Sequence, residues 1–292
     1  MVKSHLAKIY KSFLVFLILL LTISQNSYAQ YFMIGPKAGV QAYNVVYQSQ
    51  VDKDLYDTNY KFGYNVGIEM NIPLIKSFNL NPEINYTQRG RKITVKENGW
   101  TLNETHHYLE FPLILNYQNE VTIKNIGPFK NIGTITWFIG AGPNLSYLLG
   151  GSGQLETVSL ITDYKISFGG HESDYHYMTF HDVNRWQWGL DFNAGFISPL
   201  KNGKSLVTTF RFTYGHTELG AENGSSMPIL GFTDNLAHSY RVFNLSFAYL
   251  FGIDMGLFRK GKSTKGQKIK TKKVGGPSSK PKNINKFKKN KN

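Results

Sequence analysis

Residues 243–251 read FNLSFAYLF. Side chains alternate between the two faces of a strand, so Phe243, Leu245, Phe247, Tyr249 and Phe251 share one face. Asn244, Ser246, Ala248 and Leu250 share the other. A strand half exposed to water would carry Lys, Glu or Thr on its second face. Here that face is mostly small or mildly polar, as a confined interior requires, and the aromatic face suits lipid.

The same period of two recurs at 32–41, 62–72, 78–86, 109–117, 135–143, 186–196 and 206–214. With the last segment this makes eight. An even count predicts an all-β chain: an eight-stranded antiparallel transmembrane β-barrel with both termini on one side. The intervening lengths fit. Short links at 73–77 and 198–203 read as periplasmic turns, and long links at 43–59, 149–184 and 216–239 read as outer loops. The segment 118–132 reads as an unusually long periplasmic turn. Pro36, Pro82, Pro112 and Pro143 fall inside predicted strands, where each removes a ladder donor. Bulges are expected to absorb three of them, and Pro112 has no such relief.

Alternation does not say which face is inside, and a soluble ligand-binding barrel would turn its apolar face inward. The content of the mild face decides. Gly39, Gly63, Gly67, Gly140, Gly189 and Gly195 lie there with Asn65, Asn81, Asn85, Asn193 and Asn244. Solvent faces are rich in Lys and Glu. A lumen ringed by only eight strands is tight and takes small residues and amides. Its charges are of both signs: Lys37, Glu69, Glu83, Glu110, Asp191 and Arg211. Buried charges need partners, so these six predict a structural ion-pair network, not an open channel. Trp137, Trp186, Trp188, Tyr117 and Tyr214 suit interfacial girdles.

The two ends differ from this body. Lys3, Lys8 and Lys11 precede an apolar run at 13–23 and small residues at Ser27 and Ala29. This reads as a secretory signal peptide over 1–29, cleaved after Ala29. The chain contains no Cys, so neither a disulfide framework nor a lipid-bearing thiol is expected. Residues 259–292 hold one Arg, thirteen Lys and no acid, equal to the whole formal charge of +14. The body, 30–258, carries 16 basic and 19 acidic residues, a net −3. The tail has almost no apolar residues and is expected to be disordered and periplasmic. Its chemistry suits an anionic periplasmic partner, either cell wall or protein, equally with simple solvation. Export argues against nucleic acid.

The longest loop holds His171, Glu172, Asp174, His176, His181 and Asp182, but their spacing matches no metal motif. His106, His107, His216 and Glu218 lie near outer strand ends. No Ser is placed as a nucleophile beside them. We therefore expect no catalytic residues, no metal and no cofactor.

The segments 35–39 (GPKAG), 108–113 (YLEFPL) and 138–143 (FIGAGP) resemble the PorT-like outer-membrane β-barrel family. The resemblance covers about 31–251. It implies a barrel in a Gram-negative outer membrane, makes Pro112 a family feature, and implies that Phe251 serves as an aromatic assembly signal. The expected role is non-enzymatic: structural, docking or accessory, with outer-membrane lipid as surroundings. The founding member serves protein secretion, so a part in secretion or surface assembly is the alternative. A lipid-modifying barrel enzyme is a third reading.

Overall fold

The computed structural model describes residues 31–126, 129–169, 174 and 176–254. The segments read as signal peptide and basic tail lie outside the described residues. Eight long strands form a closed antiparallel ring: β1 (Tyr31–Tyr47), β3 (Lys61–Ile75), β4 (Phe78–Val95), β5 (Thr101–Ile126), β6 (Phe129–Glu156), β9 (Trp186–Pro199), β10 (Lys204–Gly215) and β13 (His238–Asp254). Each pairs with the next, β6 pairs with β9, and β1 closes on β13. Tyr31 lies opposite Asp254, which puts the first and last strand ends on one side. Each of the eight segments read from the sequence lies within one ring strand.

The strands run further than their apolar alternation. The 118–132 segment is not a turn. β5 continues to Ile126 and pairs directly with β6 from Phe129. The outer loops are not plain loops either. The first holds α1 (Gln50–Leu55) and β2 (Tyr56–Asn59). The third outer connection holds β7 (Ile161–Ser167) and β8 (Tyr177–Phe180), and the last holds β11 (Ser225–Met227) and β12 (Phe232–Asp234). Strands β7, β8, β11 and β12 extend from the top of β6 as a second sheet arm, and β2 pairs with the top of β4.

The prolines are accommodated without bulges. Pro36 keeps its pairing to Ile68 on β3, while the ladder to β13 skips Gly35 and Pro36 and resumes in the same register. Pro82, Pro112 and Pro143 behave alike. Each is paired on one side, and a two-residue gap opens on the other. A missing donor thus costs ladder contact to one neighbour only.

Along β1, β4, β5, β6 and β13 the apolar face switches sides. On β1, Val40 points outward and is 63% exposed, whereas Tyr43, Val45 and Tyr47 point inward and are buried. On β4, Ile84 is exposed outside and Ile93 buried inside, with Lys92 outward between Arg91 and Ile93. On β5, Leu109 to Tyr117 supply the outward apolar residues, but Thr105 and Asn103 stand outward above them. The outward apolar band is the lipid-facing zone. The inverted zone above it is a water-facing head with its own core.

Candidate functional site

The interior has three layers. At the end carrying Tyr31 and Asp254, Phe138, Val207, Ala248 and Leu250 form a small buried apolar cluster inside the ring. Leu250, the one large residue on the mild face of the last strand, belongs to this cluster.

Above it lies the charged layer. Lys37 Nζ is 3.0 Å from Glu69 Oε2 and 2.9 Å from Glu83 Oε1. The Arg211 guanidinium also binds Glu83 and stands 3.7 Å from Asp191 Oδ2. Asn85 donates to Glu83 at 2.8 Å, Asn81 to Glu69 at 3.3 Å, and Asn144 to Asp191 at 3.2 and 3.3 Å. Five of the six residues singled out from the sequence therefore form one connected chain. The sixth, Glu110, pairs instead with Arg89, which lies beyond the strand segment read from the sequence. Glycines make the layer fit. A Cβ at Gly140 would strike Asn116 Oδ1 and the Leu115 carbonyl, and one at Gly67 would strike Asn85. The amides fill the volume that the glycines leave.

The third layer is the head. Tyr43, Val45, Tyr47, Ile93, Leu102 and Tyr108 from the ring pack with Met178, Phe180, Leu219, Met227 and Leu236 from the outer connections. Arg91 is buried in this core and joins ring to loop. Its Nε donates to Glu104 Oε2 at 2.5 Å, its Nη1 to the Asn235 carbonyl at 3.0 Å, and its Nη2 binds Asp234. Tyr164 donates to Glu104 Oε1 at 2.8 Å, and Ser225 to Asp234 at 3.2 Å. His106 Nδ1 is 2.8 Å from Tyr240 Oη and its Nε2 is 3.3 Å from Glu104 Oε2.

One guanidinium thus faces two carboxylates in a buried site, and they do not share it equally. Burial pushes Asp234 up to about 6 against the pull of Arg91. Burial also opposes the charge on Glu104, but Arg91 and His106 outweigh it and hold Glu104 well below the usual carboxylate range. Burial lowers His106 and, more strongly, His238, whose ring packs against Tyr47 and Tyr240.

The remaining polar candidates do not converge. His107 faces outward with Nδ1 2.7 Å from Tyr86 Oη, and the His216 ring lies 4.2 Å from that of Trp188. Glu218 contributes its carbonyl to Asn184. His176 Nδ1 is 2.9 Å from Asp174, His181 Nε2 is 2.6 Å from Ser226 Oγ, and Asp182 is exposed. His171 and Glu172 lie outside the described residues. Among the described residues no three His, Asp or Glu side chains are arranged to hold a metal. The sequence reading missed Arg89, Arg91, Glu104, Asp234 and His238. The available signal was parity: 83, 85, 87, 89, 91 and 93 all face inward.

Three solved structures show low similarity to the chain. OprG from Pseudomonas aeruginosa is 10% identical, covers 77% of this chain and 96% of its own, and has a TM-score of 0.46. Neisserial surface protein A is 10% identical, with coverages of 76% and 96% and a TM-score of 0.36. Ail, the attachment invasion locus protein of Yersinia pestis, in complex with the heparin analogue sucrose octasulfate, is 10% identical, with coverages of 75% and 99% and a TM-score of 0.32. No curated protein matches the chain. The family model described as "Outer membrane protein beta-barrel domain" matches residues 23–219, two thirds of the sequence and seven of the eight ring strands. The closed antiparallel ring with its outward apolar band accords with that match, and the chain belongs to the outer membrane protein beta-barrel domain family.

Proposed function

We propose that this chain is a non-conducting, non-enzymatic barrel of the outer membrane that acts by docking, with its folded head as the working surface. The observation that carries this reading is the filled interior. The Phe138 cluster, the Lys37–Glu83–Arg211 chain and the Arg91-centred head core succeed one another along the ring axis. A conduit would have to break all three. The outer connections also spend their residues on β7, β8, β11 and β12, which fixes the head's shape. A preorganised surface loses little entropy on binding.

The segments that resemble PorT-like barrels all lie on ring strands β1, β5 and β6. They support a PorT-like barrel and carry no assignment of a secretion partner. Conductance of the purified full chain in planar bilayers tests the reading. We expect no unitary steps in 1 M KCl, and Phe138→Ala with Arg211→Ala together to open a small leak. Regular steps from the unaltered chain would refute it. Cross-linking through the head in outer membranes should then recover a defined partner.

A further inference from the structure

On the outer wall of the head, just above the apolar band, a groove of about 740 Å³ is cut between the top of the ring and the β7–β8 arm. Its floor is the outward face of three paired strands. Thr105 lies opposite Ser152, which lies opposite Lys165. Asn103 lies opposite Gln154, which lies opposite Asp163. Lys61 closes one side and Tyr177 the other. Thr105 is four residues beyond Leu109, the first outward apolar residue of β5, or about 13 Å along the strand. The floor therefore stands at the height of lipid head groups, outside the hydrocarbon.

The chemistry of the lining is specific. Two amides and two hydroxyls point out of a flat sheet, an arrangement that both donates to and accepts from vicinal hydroxyl groups. Lys61 Nζ is held by the Glu104 carbonyl at 2.6 Å and by Thr105 Oγ1 at 3.3 Å. An ammonium has three donors, so one remains for the groove. Among the described residues neither Lys61 nor Lys165 is ion-paired with a carboxylate. The groove's own acid, Asp163, accepts from Gln154 Nε2 at 2.8 Å. The result is a hydroxyl-binding floor with a cation at each side, placed beside the bilayer surface.

From this we infer that the groove binds the phosphorylated saccharide head group of an outer-leaflet glycolipid, with Lys61 and Lys165 on phosphate and Asn103 and Gln154 on sugar hydroxyls. The level of the floor selects the source, since a membrane-anchored saccharide reaches it without leaving the leaflet. The inference goes beyond docking by the head and stands whether or not a protein binds there.

The test uses the full chain in nanodiscs of phosphatidylglycerol and titrates lipid A carrying inner-core sugars, with binding read by native mass spectrometry. Lys165→Ala and Lys61→Ala should each weaken binding about fivefold, the loss expected for one cation at a charged membrane surface. Lys165 is exposed, so its variant leaves the fold intact even if Lys61→Ala loosens the Glu104 carbonyl. Enzymatic removal of the glycolipid phosphates should weaken binding to unaltered protein and abolish the difference between it and Lys165→Ala. Asn103→Ala with Gln154→Ala should weaken the intact and dephosphorylated glycolipids alike. Equal binding by Lys165→Glu and unaltered protein would overturn the site. Equal competition by added phosphatidylglycerol would overturn the saccharide, and equally tight binding of soluble glucosamine 1-phosphate would overturn the membrane source.

Discussion

Arg91 shows how much a single side chain does in this head. It is 1% exposed and is the cation that faces both Glu104 and Asp234. Replacing it with Met keeps the bulk and leaves two carboxylates buried without their cation. Breaking a buried pair by removing one partner costs about 3–5 kcal/mol, so we expect Arg91→Met to lose that much head stability in urea. Adding Glu104→Gln and Asp234→Asn should restore part of it, because the loss comes from stranded charge and not from lost packing. Legibility also divides at this scale. Lys37, Glu69, Glu83, Asp191 and Arg211 were readable because each sits on the mild face of an apolar alternation. Arg89 and Arg91 sit on the same inward face of β4, but their outward neighbours Gln88, Gly90 and Lys92 are not apolar. Past Tyr86 the pattern that marks a lipid-facing strand is gone, although the strand continues.

Among the elements, the last outer connection is the one whose attachment responds to pH. It reaches the ring through Asp234, Asn235 and Leu236 and ends at His238. Burial in the closed state lowers both His106 and His238, so as pH falls below their ordinary value of 6.5 the opened state takes up protons more readily than the closed state. Asp234 acts in the opposite direction. Burial raises it to about 6, so the closed state binds its proton first. The two histidines together outweigh the single carboxyl, so closure weakens as the pH falls below about 6. Below that, Glu104 adds to the loss, because its stabilisation is present above the ordinary carboxylate value and declines as pH falls toward its depressed one. Trp100, whose ring is 5.7 Å from Phe232 on β12, reports the change. Its 5-fluorotryptophan resonance should shift toward the exposed position on acidification, more steeply in Asp234→Asn. A resonance unmoved between pH 7 and 4 would remove the idea. The strands of this arm were not visible in the sequence, since β11 and β12 have three residues each and no period to read.

For the whole molecule, the inversion of the apolar face fixes where lipid ends. Nitroxide labels at Val66, Ile84 and Phe210, all outward and exposed, should be relaxed by oxygen. Labels at Lys92 and Ser152 should be relaxed by a water-soluble nickel chelate. Lipid-type relaxation at Lys92 would mean that the band has been drawn too low. The eight-strand ring was legible because the outward residues of each strand repeat one pattern over nine or more positions. The head was not, because its core draws scattered residues from many elements and only the closed ring assembles them.

That origin orders events in time. Tyr43 and Val45 come from the first ring strand and Tyr240 and Val242 from the last, and all four belong to one core. A nascent barrel that has threaded seven strands into the bilayer still lacks half of that meeting. Maturation of the outer surface therefore waits for the seam between β1 and β13 to zip. Whatever recognises the finished head recognises at the same time a barrel whose insertion is complete.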